Sequence, residues 1–300
     1  MNAKKIWQVG AVLAAIIAVA GVFALHVWME KRGRERAMAD TVRPKGLLHD
    51  PVADGGRSFV AIPPFLSHSA AAAEIGSQVF HDKRFVRSPR QTCAFCHLLN
   101  EGGTDGKVRD GVRTGPVVNA VLATCYLHDG SVTGLANVVW KMFEEESYAG
   151  CRSLEKRVAR LRKEDAELVA RFKGVYGDGL TSTNVVDSVV QYAHTQMLLS
   201  QGRAFDLYCG GRTNALDETQ KEGVVAFQTG RCLACHDGAA LGGRRIHNGL
   251  KVAGLRGIPQ RKVYFADGSC TNLVEAVNRM CPRELDVAAR RSLLAFLKAL

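Results

Sequence analysis

A chain of 300 residues with 47% hydrophobic side chains can bury a sizeable core, and its length suits two compact domains plus an N-terminal appendage. Its net charge of +11 comes from scattered basic clusters at residues 31–36, 152–163, 244–262 and 283–291. No aromatic interleaving or nucleic-acid motif accompanies them, which argues against nucleic-acid binding and leaves a face that steers an acidic partner, or a solvated surface.

Lys4 and Lys5 precede residues 6–28, a run without formal charge that is long enough to cross a bilayer as one helix. Small residues at 18–20 and 22–24 also offer cleavage-site patterns, so an anchor over residues 1–30 competes with a removable signal, and the length of the apolar run favours the anchor. Lys31, Arg32, Arg34 and Arg36 balance the N-terminal positives, so charge does not fix the orientation. Residues 31–66 mix charge, Gly and Pro, with Pro63 and Pro64 near their end, and read as a linker.

From Ala70 the pattern turns helical and leads to Cys93-Ala94-Phe95-Cys96-His97, a motif that returns as Cys232-Leu233-Ala234-Cys235-His236. The spacing lets both thiols form thioethers to one porphyrin while the following His97 or His236 turns back to ligate its iron. Chance predicts roughly 0.008 copies of this motif in such a chain, so two copies are signal. Zinc would need four ligands gathered from the two halves, and a thiol redox pair needs no following His. Two covalently bound haem c groups are therefore expected. Haem c is attached outside the cytoplasm, which places the bulk of the chain in the periplasm. Disulfides also form there, but the other cysteines, Cys125, Cys151, Cys209, Cys270 and Cys281, are odd in number and their pairing is not set by sequence.

Helical patterns continue over residues 154–175, 185–199, 218–228 and 285–300, and no alternating strand pattern competes. The expected class is mainly α, with the haems supplying much of each core. Tyr126-Leu127-His128-Asp129-Gly130-Ser131 recurs as Tyr264-Phe265-Ala266-Asp267-Gly268-Ser269 at an offset of 138, against 139 for the haem motifs. This repeat implies two tandem cytochrome c-like haem domains, over residues 67–204 and 205–300.

On these motifs the chain resembles the diheme cytochrome c peroxidase and MauG family across residues 72–300. The resemblance includes Val79-Phe80-His81-Asp82, Gly102-Gly103-Thr104-Asp105, Arg113-Thr114-Gly115-Pro116-Val117-Val118-Asn119, Phe205-Asp206-Leu207-Tyr208, Leu255-Arg256 and Leu293-Leu294-Ala295-Phe296-Leu297. It implies a peroxidatic haem in the first domain and an electron-transfer haem in the second. Met280 matches the thioether ligand of the second haem in the peroxidase branch, where MauG carries Tyr; His/Met ligation suits an electron relay. The His that caps the first iron in peroxidases has no counterpart between Asp105 and Arg113. The first site is then open to peroxide, or closed by another side chain such as Met142, the repeat partner of Met280.

Acid/base groups of the family's distal pocket fall on Val138 and Tyr148, and a two-residue slip nominates Glu146 instead, which also reads as a solvated helix end. His128 stands where the family has a Trp between the haems, as bridge, proton carrier or alternative ligand; Trp140 assists electron transfer or fills core. The family's interdomain calcium falls on Thr114, Arg261 and Val263, where a base and an apolar residue leave the cation doubtful. The resemblance thus implies reduction of hydrogen peroxide to water with electrons from a small periplasmic donor, a cytochrome c or cupredoxin. A homodimer is one assembly it allows. A non-enzymatic electron carrier with both irons capped, or a MauG-like oxidase of a partner's side chains, are the alternatives.

Overall fold

In the computed structural model, which describes residues 59, 61–62, 69–109, 111–148, 153–281 and 285–300, the chain order is α1 (Ala70–His81), the single turn α2 (Cys93–Cys96), α3 (Leu135–Glu144), α4 (Leu154–Glu164), α5 (Ala166–Val175), α6 (Ser182–Thr195), α7 (Ala204–Cys209), α8 (Glu218–Thr229), α9 (Leu273–Met280) and α10 (Val287–Lys298). The expected anchor at 1–30, most of the expected linker at 31–66, and Cys151 lie outside the described residues. Among the described residues no helix is long and apolar enough to cross a membrane. The architecture is mainly helical. Three antiparallel hairpins of two-residue strands interrupt it: β1–β2 (Val108–Arg109 with Val112–Arg113), β3–β4 (Cys125–Tyr126 with Val132–Thr133) and β5–β6 (Ile246–His247 with Leu250–Lys251).

Helix ends follow local chemistry. Ser69 Oγ accepts from Ala72 N at 3.1 Å to start α1, and Asp217 with Gln220 forms a reciprocal capping box at α8. Residues 154–175, read from sequence as one helical stretch, divide at Asp165. Its N–H still bonds Leu161 O at 2.9 Å while its Oδ1 accepts from Leu168 N at 2.8 Å, so one residue closes α4 and caps α5.

Each haem segment is built on one helix crossing that pivots on a glycine. A Cβ on Gly76 of α1 would lie 1.8 Å from Ser188 O of α6, and a Cβ on Gly223 of α8 would lie 2.0 Å from Ser292 O of α10. Only glycine lets those backbones meet. Beside each crossing sits an aromatic pair, Phe80–Tyr192 and Phe227–Phe296, both with ring centroids 5.5 Å apart. Two hydrophobic cores result. One gathers Phe85, Phe143, Leu154, Leu161, Phe172 and Val185, and the other Phe205, Leu216, Phe227 and Phe296. Phe59 and Ile62, within the stretch read as linker, are buried: Phe59 packs on Phe205 at 5.3 Å, and Ile62 N donates to Asp206 Oδ1 at 2.6 Å.

The internal repeat is visible in the backbone. Leu127 and Phe265, neither of them glycine, adopt φ of 62° and 61°, and α3 and α9 begin at equivalent positions, Leu135 and Leu273. The two segments also clasp one another reciprocally. Arg113 N of β2 donates to Ala266 O at 2.7 Å, and its repeat partner Lys251 N of β6 donates to His128 O at 2.6 Å. Correspondingly, a Cβ on Gly268 would meet Val108 Cγ2 at 2.8 Å, and one on Gly130 would meet Ile246 Cδ1 at 2.2 Å. Each hairpin is rooted in one haem segment and seated on the Asp-Gly turn of the other.

Candidate haem sites

The turn α2 sets Cys93 and Cys96 on one helical turn, and His97 N closes it by donating to Cys93 O at 2.9 Å. The His97 Nδ1 lies 3.1 Å from Gly103 O. With the proton on Nδ1 donated to that carbonyl, Nε2 keeps its lone pair for a metal. Gly103 reaches this position at φ 80°, where a Cβ would stand 2.5 Å from Val118 N, so glycine is required. Burial pushes the His97 pKa down, which favours the neutral imidazole that iron binds.

The second site repeats the design. His236 N donates to Cys232 O at 2.8 Å, and its Nδ1 lies 3.2 Å from both Leu241 O and Ala253 O. Burial again lowers the imidazole, helped by the charge of Arg261. None of the eight described cysteines is in a disulfide, and burial pushes the Cys93 thiol up to about 12 and Cys232 to about 11. Among the described residues no three His, Cys, Asp or Glu side chains converge as a metal site. Two free thiols followed by a neutral imidazole with an available Nε2, twice over, fit haem c.

The other residues nominated from sequence are more dispersed. Met280 ends α9 and is 61% exposed; Met142 holds the equivalent register on α3 and is half-buried. The His128 side chain is exposed while its carbonyl takes the Lys251 bond. Glu146 is also exposed, with Arg87 Nη1 at 3.6 Å, and its carbonyl accepts from Gln91 Nε2 at 3.5 Å, just ahead of Cys93. Trp140 sits at the surface of α3, and burial raises Tyr148.

Sequence reasoning gave little weight to a set of interior arginines. Arg256 is 1% exposed, lies over the Phe205 ring at 5.1 Å, stands 3.7 Å from Asp206 and donates from Nε to Ala239 O at 2.5 Å. Arg261 is buried beside it, donating to Arg256 O at 3.0 Å. In sequence both lie within the basic cluster at 244–262, which does not distinguish interior bases from surface ones. These residues do not fit calcium. Thr114 Oγ1 accepts from Arg109 Nη1 at 2.6 Å, Arg261 O accepts from the Tyr264 hydroxyl at 2.8 Å, and the Val263 side chain packs on Gly106. Oxygen donors are engaged and the local charge is positive, the opposite of what a hard dication selects.

Comparison with known proteins agrees with this geometry. Residues 70–214 match the family model for di-haem cytochrome c peroxidase. Cytochrome c peroxidase Ccp of Escherichia coli (strain K12) is 31% identical over 199 residues, 63% of this chain and 42% of that protein. Cytochrome c551 peroxidase of Nitrosomonas europaea is 28% identical over 279 residues, covering 77% of this chain and 80% of that protein. The chain thus spans less than half of the first relative and most of the second. Among solved structures, a MauG-like protein associated with microbial copper homeostasis shares the fold with a TM-score of 0.65 at 15% identity, covering 84% of this chain and 95% of its own. The chain carries two covalently bound haem c groups, which the paired thiols and imidazoles fit, and its residues 70–214 form a di-haem cytochrome c peroxidase family domain.

Proposed function

We propose that this protein is a periplasmic di-haem cytochrome that reduces hydrogen peroxide to water with electrons from a small redox protein, a cytochrome c or cupredoxin. The observation that carries the reading is the reciprocal clasp, which joins two complete haem-binding segments through bonds made by Arg113 and Lys251. Reduction of one peroxide to water consumes two electrons and two protons, so two one-electron centres carried on clasped segments would suit the stoichiometry. The haems supply redox-active iron.

The chain's own residues supply the rest. His97 and His236 are fixed by backbone carbonyls in the tautomer that offers Nε2. Met280 would serve as the sulfur ligand of the second haem. Glu146 and His128 are the groups nominated to move protons on the peroxide side, and both are solvent-accessible for exchange. Attachment of haem c supports a periplasmic location, and the apolar run at 6–28 supports an inner-membrane tether.

Electron paramagnetic resonance of the oxidised and half-reduced protein, before and after peroxide, tests the reading together with turnover against a reduced small cytochrome. A high-spin ferric signal lost on adding peroxide, with turnover, is expected. Two low-spin signals unmoved by peroxide would make the protein an electron carrier instead.

A further inference from the structure

Among the described residues, Arg261 is a buried charge without a partner of opposite sign. It is 7% exposed, donating from Nη1 to Gly254 O at 2.7 Å and from Nη2 to Arg256 O at 3.0 Å. Its Nε–H is buried with no acceptor. No carboxylate among the described residues forms an ion pair with it; the charge that acts on it most is another cation, Arg113, which is half-buried and donates from Nε to Phe265 O at 2.8 Å. Burial and the Arg113 charge lower the Arg261 pKa to about 10, which still leaves a full positive charge at neutral pH.

The position of this charge is as informative as its isolation. A Cβ on Gly102 would lie 2.8 Å from Arg261 Cγ, and Gly102 adjoins Gly103, whose carbonyl holds the His97 ring. On the other side Gly254, the acceptor of Nη1, adjoins Ala253, whose carbonyl holds the His236 ring. One side chain therefore leans on both proximal loops. Its repeat partner is Ala123, against which a Cβ on Gly243 would lie 2.8 Å from the Ala123 Cβ. The repeat thus places a cation on one side of the seam and a methyl group on the other.

A buried cation without a counter-ion is strongly destabilising, and a buried donor left unmade adds to that. The chain nonetheless holds anions: the propionate carboxylates that every haem c carries. We propose that Arg261, seconded by Arg113, is the counter-ion of a haem propionate at the seam between the two haem segments, its free Nε–H completing a charge-assisted hydrogen bond. A fixed cation beside a haem favours the reduced state, because reduction adds a negative charge. Arg261 then holds up the potential of the haem whose propionate it binds.

The test is a spectroelectrochemical titration of the holoprotein with resonance Raman spectra of the propionate bending bands. In Arg261→Gln the midpoint of at least one haem falls by at least a tenfold change in its reduction equilibrium, 59 mV for one electron, and a propionate band shifts. Unmoved midpoints with an unmoved band would overturn the assignment. So would an equal fall in Arg171→Gln, which removes an exposed guanidinium 4.0 Å from Glu74. Should Arg261→Gln fail to load haem, Arg261→Lys keeps the charge but loses the Nε–H: the propionate band shifts while the midpoints stay within a twofold change, and an unshifted band refutes the proposal. The measurement requires both haems but no peroxidase turnover, so an inactive protein leaves it decisive.

Discussion

The backbone N–H of Lys251 donates to the carbonyl of His128 at 2.6 Å, fastening the β5–β6 hairpin to the approach of the Asp129-Gly130 turn. Lys251→Pro deletes that donor and strands the acceptor, an expected cost of about 1–3 kcal/mol. At about 2–4 °C per kcal/mol for a chain approaching this size, the melting temperature drops measurably. Electron equilibration between the haems, followed by fast reduction kinetics, slows in the same variant. Unchanged values of both would show that the clasp is ornamental to stability and transfer alike.

Gly76→Ala and Gly223→Ala drive a methyl into Ser188 O and Ser292 O respectively. Neither acceptor is a flexible side-chain tip, so each substitution separates a helix pair at an expected cost of about 3 kcal/mol or more. Denaturant titration of the holoprotein checks this, and a loss below about 1 kcal/mol would mean that the crossings slide freely.

Met280→His tests ligation of the second haem. A His/His pair lowers a haem potential relative to His/Met, so the midpoint of that haem falls and, if it relays electrons, turnover slows. An identical potential removes Met280 from the ligand set.

Asp105 gives a pH signature. Burial raises its pKa, but hydrogen bonds from Arg109, Lys107 N and Thr114, with the Arg109 charge, outweigh burial and hold it below the usual carboxylate range. The folded state therefore favours the ionised form, and this contribution is present above the unfolded value near pH 4 and lost as pH falls through the folded value. Stability of Asp105→Asn and of the unmodified protein, separated at pH 7, begins to converge below about pH 4 and meets below the folded value. Curves that stay parallel into acid would exclude this contribution.

Calcium chelation is expected to change nothing. Elemental analysis finds the cation well below one per chain, and EGTA leaves the melting temperature and both haem potentials in place. A stoichiometric calcium that EGTA removes with loss of stability would show that the arginines at the seam do not exclude it.

The haem motifs were legible because thioether chemistry demands contiguous residues, and the repeat was legible because it is spelled twice. The shared φ near 60° at Leu127 and Phe265 shows how far that repetition reaches into the backbone. Other features were hidden for physical reasons. Two-residue strands have no periodicity to detect, so the three hairpins and the clasp they make were silent. The division of residues 154–175 turned on Asp165, a residue as ordinary in a solvated helix as in a cap. Arg261 was visible only as a base where oxygen donors were expected, because its role depends on loops far apart in sequence. Glu146 was nominated by counting along α3 and beyond, and its exposed setting beside Arg87 reflects how weakly the end of a helix constrains the residues after it.

The clasp also changes what counts as a separable piece. The connection between the two haem segments runs through exposed residues, Gln201, Gly202 and Arg203, whereas the hairpins interlock elsewhere. A nick at Gly202 would therefore leave two fragments that stay together as a noncovalent pair, each deprived of a binding partner for its hairpin if pulled away. The covalent thread between the haem segments is the dispensable tie, and the exchanged hairpins are the durable one.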